Sequence, residues 1–380
     1  MNRKSTQMTS LISAFIDNGK FRVGDKIPTE AELGARFGFS RTTVREGLSS
    51  LVQKGILEKR RGSGTYLVSP IPCKPKSKII GTIVPSVSVF GQPGIYYDII
   101  QGIENAAHNN GYSLIIGNMD NDQKKAEMHI ARFIDNNVCG VIYSPLILPD
   151  YYQKNIAIIE EMDRKNISVV VVNSMVGKDW GGRFSFVGSN HFLAMVEVIK
   201  YLVSLGHTHI AYIRCFEGVS SSDQQFAGFS HQIHAEKLSF HEEFVKTVQF
   251  GNLDDLVHNQ GTEEIRQLLA LKIPPTAVIC TNDYVANNVI SETKKLGLKV
   301  PDDLAVIGFD DRPFSPYLDP PLTTVRQPLY EEGFQACEIL INKLNGYPSN
   351  DQKFLDCKLI RRQSCGKIQE QLKTNATGTS

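Results

Sequence analysis

The chain has 380 residues, 41 Lys and Arg against 40 Asp and Glu, a formal net charge of +1, 41% hydrophobic and 21% charged residues. This composition excludes a disordered chain, and the length predicts two or three domains. The near-neutral total conceals an asymmetry: residues 1–78 hold 15 bases and 6 acids, net +9, and the rest hold 26 bases and 34 acids, net −8. A basic head on an acidic body points to a polyanion as the partner of the head.

Residues 5–18 have a helical period, with Leu11, Ile12, Phe15 and Ile16 as the apolar stripe and Gly19-Lys20 closing it. Thr29 suits the N-cap of a second helix, Glu30–Phe37, and Glu32 three residues on completes a capping box. Ser40 caps a third helix, Arg41–Lys54. Val44, Leu48, Leu51 and Val52 form its buried face, and Arg41, Thr42, Thr43 and Arg45 open the opposite one. A tight turn between two helices, with cationic and polar residues starting the second, is the geometry that places side chains in a DNA major groove. Ile56–Lys59 and Thr65–Val68 flank Arg60-Arg61-Gly62-Ser63-Gly64 and predict a β-hairpin wing.

A connector follows at 69–78, where Pro70, Pro72 and Pro75 forbid a helix and favour extended chain. Beyond it, β-branched runs (Ile79–Val84, Ser113–Ile116, Gly140–Tyr143, Ser168–Val172, Ile210–Ile213, Ala277–Cys280, Ala305–Ile307) alternate with helical periods. The helices are expected at Ile95–Asn110, Lys124–Asn136, Phe192–Gly206, Thr262–Leu271, Tyr284–Leu296 and Glu331–Asn345. Strands apolar on both faces and separated by helices predict an α/β fold of doubly wound parallel sheets. About 290 residues is large for one such sheet, so two lobes are expected, with a ligand beyond the carboxyl ends of the strands. The tail from 366 is polar. Candidate ligand groups at those ends are Phe90, Tyr96 and Tyr97 after the first strand, Asn173, Asn282 after Ala277–Cys280, and Asp310 after Ala305–Ile307. Tyr96 and Tyr97 are adjacent and cannot both face one ligand. Asn282-Asp283 also suits a helix cap, and Asp310-Asp311 a turn.

The head string IPTEAELGARFGFSRTTVREGLSSLVQKGILEKRRGSGTYL resembles the winged helix-turn-helix of GntR-family bacterial regulators. The resemblance implies that Arg41, Thr43 and Arg45, with Thr42 beside them, contact DNA from the recognition helix. It implies that Glu30 assists, and that the wing of Arg61, Gly62, Ser63, Gly64 and Thr65 enters the minor groove. The body carries Leu205-Gly206-His207-Thr208-His209-Ile210-Ala211, Thr281-Asn282-Asp283, Gly308-Phe309-Asp310-Asp311 and Pro321-Leu322-Thr323-Thr324-Val325-Arg326-Gln327-Pro328 in order. These are similar to the LacI/GalR effector domain over residues 79–365. That likeness implies a periplasmic-binding-protein-like fold with three crossings between lobes, near Asn173, Val325–Pro328 and Ser349–Lys353.

The organisation expected is thus a DNA-binding domain at 1–68, a linker at 69–78, and an effector domain at 79–365. Lobe one covers about 79–173 and 327–350, lobe two about 174–326 and 351–365, and a tail runs from 366 to 380. The pairing of the two domain types resembles arabinose-responsive repressors, a likeness that includes Lys4 and Ile360-Arg361-Arg362-Gln363-Ser364. It implies Asn173, Asn282 and Asp310 as sugar ligands. One departure stands out: where the family has an arginine in R-x-x-G-F, this chain has Gln225-Phe226-Ala227-Gly228-Phe229. Gln225 can donate to a hydroxyl but lacks the cationic fork.

Residues 1–7 lack the apolar core of a secretory signal, and no apolar run approaches the ~20 residues of a membrane span. The seven cysteines form no C-x-x-C pair, and His207 and His209 read as structural, so neither metal nor disulfide framework is expected. Phosphate-loop, H-E-x-x-H and G-x-S-x-G motifs are missing from the sequence, so no catalytic site or cofactor is expected. The sequence predicts a cytoplasmic, homodimeric, DNA-binding regulator with no membrane partner. It is read as a repressor released from operator DNA by a monosaccharide, an arabinose-like pentose or a deoxyhexose such as fucose. An activator of the same type, or a carbohydrate receptor without DNA regulation, are the alternatives.

Overall fold

The computed structural model describes residues 8–9, 11–13, 15–16, 21–69, 77–89, 92–147, 151–176, 184–215, 217–248, 259–347 and 351–366. Lys4, Phe90, Trp180 and most of the proline connector lie outside them. The chain divides into two compact units, residues 1–78 with 339–349, and 79–338 with 350–380.

In the head, helical residues between 8 and 16 (α1) precede α2 (Glu30–Phe37), α3 (Arg41–Gln53), β1 (Leu57–Arg60) and β2 (Gly64–Leu67). Both halves of the capping box form: Glu32 N–H donates to Thr29 Oγ1 at 3.3 Å, and Thr29 N–H donates to Glu32 Oε2 at 2.7 Å. Gly38 ends α2 in the left-handed region, at φ 70°. Met8, Ile12, Leu33, Val44, Leu48, Leu51, Leu57 and Leu67 share one core. Gly47 lets α1 approach α3, since a Cβ there would meet Met8 Cγ at 3.1 Å and Thr9 N at 3.2 Å. Val52, expected on the buried face, is instead 37% exposed, in the last turn of α3 next to its C-cap at Lys54.

The body continues with β3 (Ile79–Val84), the short hairpin β4 (Ser88–Val89) and β5 (Gln92–Pro93), then α4 (Ile95–Asn109), β6 (Ser113–Asn118), α5 (Gln123–Asp135), β7 (Gly140–Tyr143), α6 (Tyr151–Arg164), β8 (Ser168–Val172) and β9 (Ser185–Ser189). There follow α7 (His191–Ser204), β10 (Ile210–Arg214), α8 (Ser220–Ala235), β11 (Val245–Thr247), α9 (Thr262–Leu269), β12 (Ala277–Cys280), α10 (Asp283–Lys295) and β13 (Ala305–Phe309). The chain then forms β14 (Thr323–Arg326), α11 (Leu329–Leu344), β15 (Gln352–Leu355) and β16 (Lys358–Ile360).

Two six-stranded sheets result. Lobe one has the parallel order β15-β9-β8-β7-β3-β6; lobe two has β11-β10-β12-β13-β14-β16, in which only the β14–β16 pair is antiparallel. Helices cover both faces of the second sheet. Ala277 and Ile279 face a core with α7 and α8, while Val278 and Cys280 face one with α9 and α10. This two-sided burial is why the strands read as unbroken apolar runs.

The chain passes between sheets after Ser189, after Arg326 and after Leu355. The first passage thus lies beyond Asn173, because β9 (Ser185–Ser189) adds a further strand to lobe one before the chain leaves. The third lies beyond Lys353, because Gln352–Leu355 pairs in parallel with β9 and so belongs to lobe one. Helices α4 and α11 touch backbone to backbone through two glycines. A Cβ on Gly102 would fall 2.0 Å from Tyr330 O, and one on Gly333 would fall 2.0 Å from Ile99 O. No helix among the described residues is long and apolar enough to cross a membrane.

Candidate functional site

On the head, Arg41, Thr42 and Arg45 are exposed along the start of α3, while Thr43 is half-buried, with its Oγ1 3.0 Å from Ser40 Oγ. Glu30, in the first turn of α2, accepts from Arg45 Nη2 at 2.9 Å, from Arg45 Nε at 3.2 Å and from Lys59 Nζ at 3.2 Å. The hydrogen bonds from Arg45 hold the Glu30 carboxyl below its usual range. An ion pair this exposed adds little stability. Its effect is geometric: the planar fork is held in one orientation with 64% of the Arg45 side chain still open.

The wing is a tight hairpin with Arg60 opposite Gly64. Gly62 and Gly64 adopt φ of 75° and 130°, values that side chains disfavour. Arg61, Gly62 and Ser63 are exposed at its tip, whereas Gly64 and Thr65 are half-buried. Ser63 Oγ lies 2.6 Å from Tyr66 Oη, and Arg60 stacks 4.5 Å over the Tyr66 ring, which stiffens the tip.

In the body, the polar residues that converge come from strand ends and the segments after them: Ser144 after β7, Asn173 after β8, Ser189 at the end of β9, Asp310 after β13 and Gln327 after β14. Open parallel sheets place ligands there. Asn173 and Asp310 have φ of 70° and 104°. Asn tolerates the left-handed region; Asp310 lies outside its usual basin, and such strain collects at binding sites. Asp310 N–H donates to Val325 O at 2.8 Å, and its Oδ1 accepts from Gln327 Nε2 at 2.6 Å. Asp310 keeps part of its surface open, yet crowding by protein, with the Asp283 carboxylate nearby, raises its pKa to about 8.

Asn173 is buried, and its amide donates to Glu332 Oε2 at 3.3 Å; Ser189 Oγ donates to Glu332 Oε1 at 2.5 Å. Glu332, on the first turn of α11, is fully buried, and burial raises its pKa to about 7 against the pull of those donors. Tyr96 is 5% exposed, and burial raises the pKa of its hydroxyl against a hydrogen bond with Ser144, with the charges of Asp310 and Glu332 adding to the rise. Tyr97 is 42% exposed, with its hydroxyl accepting from Gln101 Nε2 at 3.0 Å. Of the two tyrosines, Tyr96 is the one brought into the cluster.

The remaining candidates stand differently. Asn282 is the N-cap of α10, its Oδ1 accepting from Val285 N–H at 2.9 Å, so that oxygen is committed to the helix. Asp283 is fully buried and accepts from Ser315 Oγ, Thr324 Oγ1 and Arg312 N–H at 2.5, 2.6 and 2.7 Å, a structural junction in lobe two. Gln225 is 3% exposed and its Oε1 accepts from Tyr212 Oη at 2.8 Å. Asp311 pairs with Arg326 and Arg362, each at 2.6 Å. Four participants were not singled out as ligand groups from the sequence: Ser144, Ser189, Gln327 and Glu332. Their signal is weak, since two are lone serines and Glu331-Glu332 reads as favourable acid in a first helical turn. The lobes also meet directly, where Ser220 Oγ lies 2.9 Å from Ser174 Oγ and accepts from Met175 N–H at 2.8 Å. No group of three His, Cys, Asp or Glu among the described residues is arranged to hold a metal.

Residues 4–67 match the model described as bacterial regulatory proteins, gntR family, and residues 199–365 match that of a periplasmic binding protein-like domain. The chain joins a gntR-type DNA-binding head to a periplasmic-binding-protein-like body. The HTH-type transcriptional repressor CytR of Escherichia coli (strain K12) is 28% identical over 326 residues, 86% of this chain and 91% of that protein. The arabinose metabolism transcriptional repressor of Geobacillus stearothermophilus is 28% identical over 359 residues, 90% of this chain and 91% of that one. The crystal structure of transcription regulator CcpA of Lactococcus lactis superimposes with a TM-score of 0.66 at 25% identity, over 77% of this chain and 100% of that one. The likeness of this chain is to regulators of transcription, not to enzymes.

Proposed function

We propose that the chain is a transcriptional repressor that holds a double-stranded operator through its head and lets go when a monosaccharide enters the body. The observation that carries this reading is the set of polar groups at the strand ends of a two-lobed domain, Asn173, Asp310 and Gln327, with Tyr96 and Glu332 supplied by the first turns of α4 and α11, in one chain with an exposed recognition helix. Hydroxyl-rich ligands need many acceptors and few charges, and an aromatic wall. Arabinose-like pentoses and deoxyhexoses are the proposed effector classes, in keeping with the repressor of arabinose metabolism among the relatives.

In this reading Arg41, Thr42, Thr43 and Arg45 read the major groove, and Arg61 to Thr65 follow the backbone into the minor groove. Two copies of the chain present two heads to a near-palindromic site. Sugar binding weakens the operator complex only by as much as the sugar prefers the released state. A thermal-shift screen of the full chain against pentoses, deoxyhexoses and hexoses tests the effector half, because a ligand of the native state raises the melting temperature. A flat response to all three classes would refute it.

A further inference from the structure

We propose that His191 is an acid-sensitive lock on the passages between the two lobes: neutral, it holds the body in its sugar-binding form, and protonated, it lets that form go. Its link to the sugar rests on the sugar-binding reading above; the lock itself does not.

The first passage between the sheets runs from Ser189, the last residue of β9, to His191, the first of α7. The other two passages are tied to the same point. Asn190 N–H donates to Leu355 O at 2.8 Å, at the end of β15, where the third passage begins. Ser189 Oγ donates to Glu332, on the helix that follows the second. The His191 side chain is 3% exposed, and its ring lies 5.5 Å from that of Phe309, the residue before Asp310. Both ring nitrogens are buried, and neither has a hydrogen-bond partner among the described residues. A neutral imidazole there leaves one donor and one acceptor unpaired; a charged one leaves two donors and a buried charge, which costs far more. The positive end of a helix disfavours a cation further.

The charged groups on the surrounding elements have other partners. On α7 itself Glu197 and Lys200 are exposed and lie 3.3 Å apart. On α8, Asp223 is paired with Arg214, His234 Nδ1 lies 2.6 Å from Ser230 O, and His231 packs on Phe192. Around the passages, Asp310 accepts from Gln327, Glu332 accepts from Ser189 and Asn173, and Lys358 on β16 is exposed. The Cys357 and Cys365 thiols, each raised to about 12, stay uncharged. Burial lowers the His191 pKa from 6.5 to about 4. As pH falls through 6.5, an imidazole released to water takes up a proton and the buried one does not, so acid favours the form in which His191 has left its place. Between pH 7.5 and 5.5 that form gains about tenfold. When the ring leaves Phe309, Asp310 loses its support and the sugar is held less tightly. Acid thereby keeps the repressor on its operator.

Chemical denaturation of the full chain at pH 7.5 and 5.5, followed by fluorescence of the single tryptophan, Trp180 in the body, compares wild type with His191→Phe and His191→Asn. Over that range the unfolding constant of wild type should rise about tenfold relative to either variant. Asp283, Asp310 and Glu332 titrate in or near this range but are common to all three proteins. Histidine Cε1–H NMR of wild type gives a second reading: the signal of His191 should show a neutral ring down to pH 5. Equal pH dependence in wild type and variants, or a His191 signal titrating near pH 6.5, would overturn the lock. Calorimetry with L-arabinose should show binding at pH 7.5 that weakens at pH 5.5 in wild type and holds in His191→Phe; the same weakening in both would overturn the link to the sugar. Failure of wild type to bind L-arabinose at pH 7.5 would count against the sugar reading, while the denaturation and NMR results still decide the lock.

Discussion

Replacing Glu332 with Gln should change how the stability of the body depends on pH. The carboxyl is fully buried, and its pKa rises from 4.5 to about 7. A carboxyl whose pKa is raised by folding holds its proton more tightly in the folded chain. Its contribution is therefore fully present below about pH 4.5 and is lost as pH rises through 7. At about 1.36 kcal/mol per pKa unit, the ionised side chain weakens the fold by about 3 kcal/mol at pH 8 relative to its protonated form. At about 2.1 cal/mol/K of unfolding entropy per residue over about 290 residues, that corresponds to roughly 5 °C in melting temperature. Asp283 and Asp310, raised to about 6 and about 8, act in the same direction but are shared by both proteins. The difference between the two melting curves thus isolates Glu332. Calorimetric unfolding from pH 5 to 8 should show wild type losing stability faster than Glu332→Gln; parallel curves would refute the assignment of a buried, reluctantly ionised carboxyl.

Two further variants probe other parts of the account. Gly102→Ala places a Cβ 2.0 Å from Tyr330 O, which forces α4 away from α11, so chemical denaturation should show a loss of about 2–4 kcal/mol; a loss under 0.5 kcal/mol would mean the helices separate freely. Arg45→Ala should abolish sequence-specific operator binding in a gel-shift assay while leaving calorimetric sugar binding unchanged, whereas loss of both would contradict the division of labour between head and body.

The sequence made the head legible almost residue by residue, because capping boxes, heptad-like stripes and glycine turns are local signals: Thr29, Glu32, Gly38 and Gly62 each act within a few residues of their place in the chain. Long-range pairings were less visible. Strand β9, Ser185–Ser189, is fully buried but reads as a small polar segment, and missing it moved the expected first crossing to Asn173. Helix α8 escaped notice because SSSDQQFAGFSHQIHA has little apolar periodicity. Asn173 and Asp310 were found by their positions after strands. Glu332 was not, since an acid in a first helical turn is ordinarily solvated, whereas this one is buried with its oxygens accepting from Ser189 and Asn173.

The central claim is that one chain couples a sugar in the body to an operator on the head. Fluorescence anisotropy of a labelled operator duplex, titrated with the full chain and then with the sugar that stabilises it most, tests that claim directly. Sugar should release wild type from the duplex, while Asp310→Ala should bind the duplex as tightly as wild type and no longer be released by sugar. Release of Asp310→Ala at the same sugar concentration as wild type would contradict that claim.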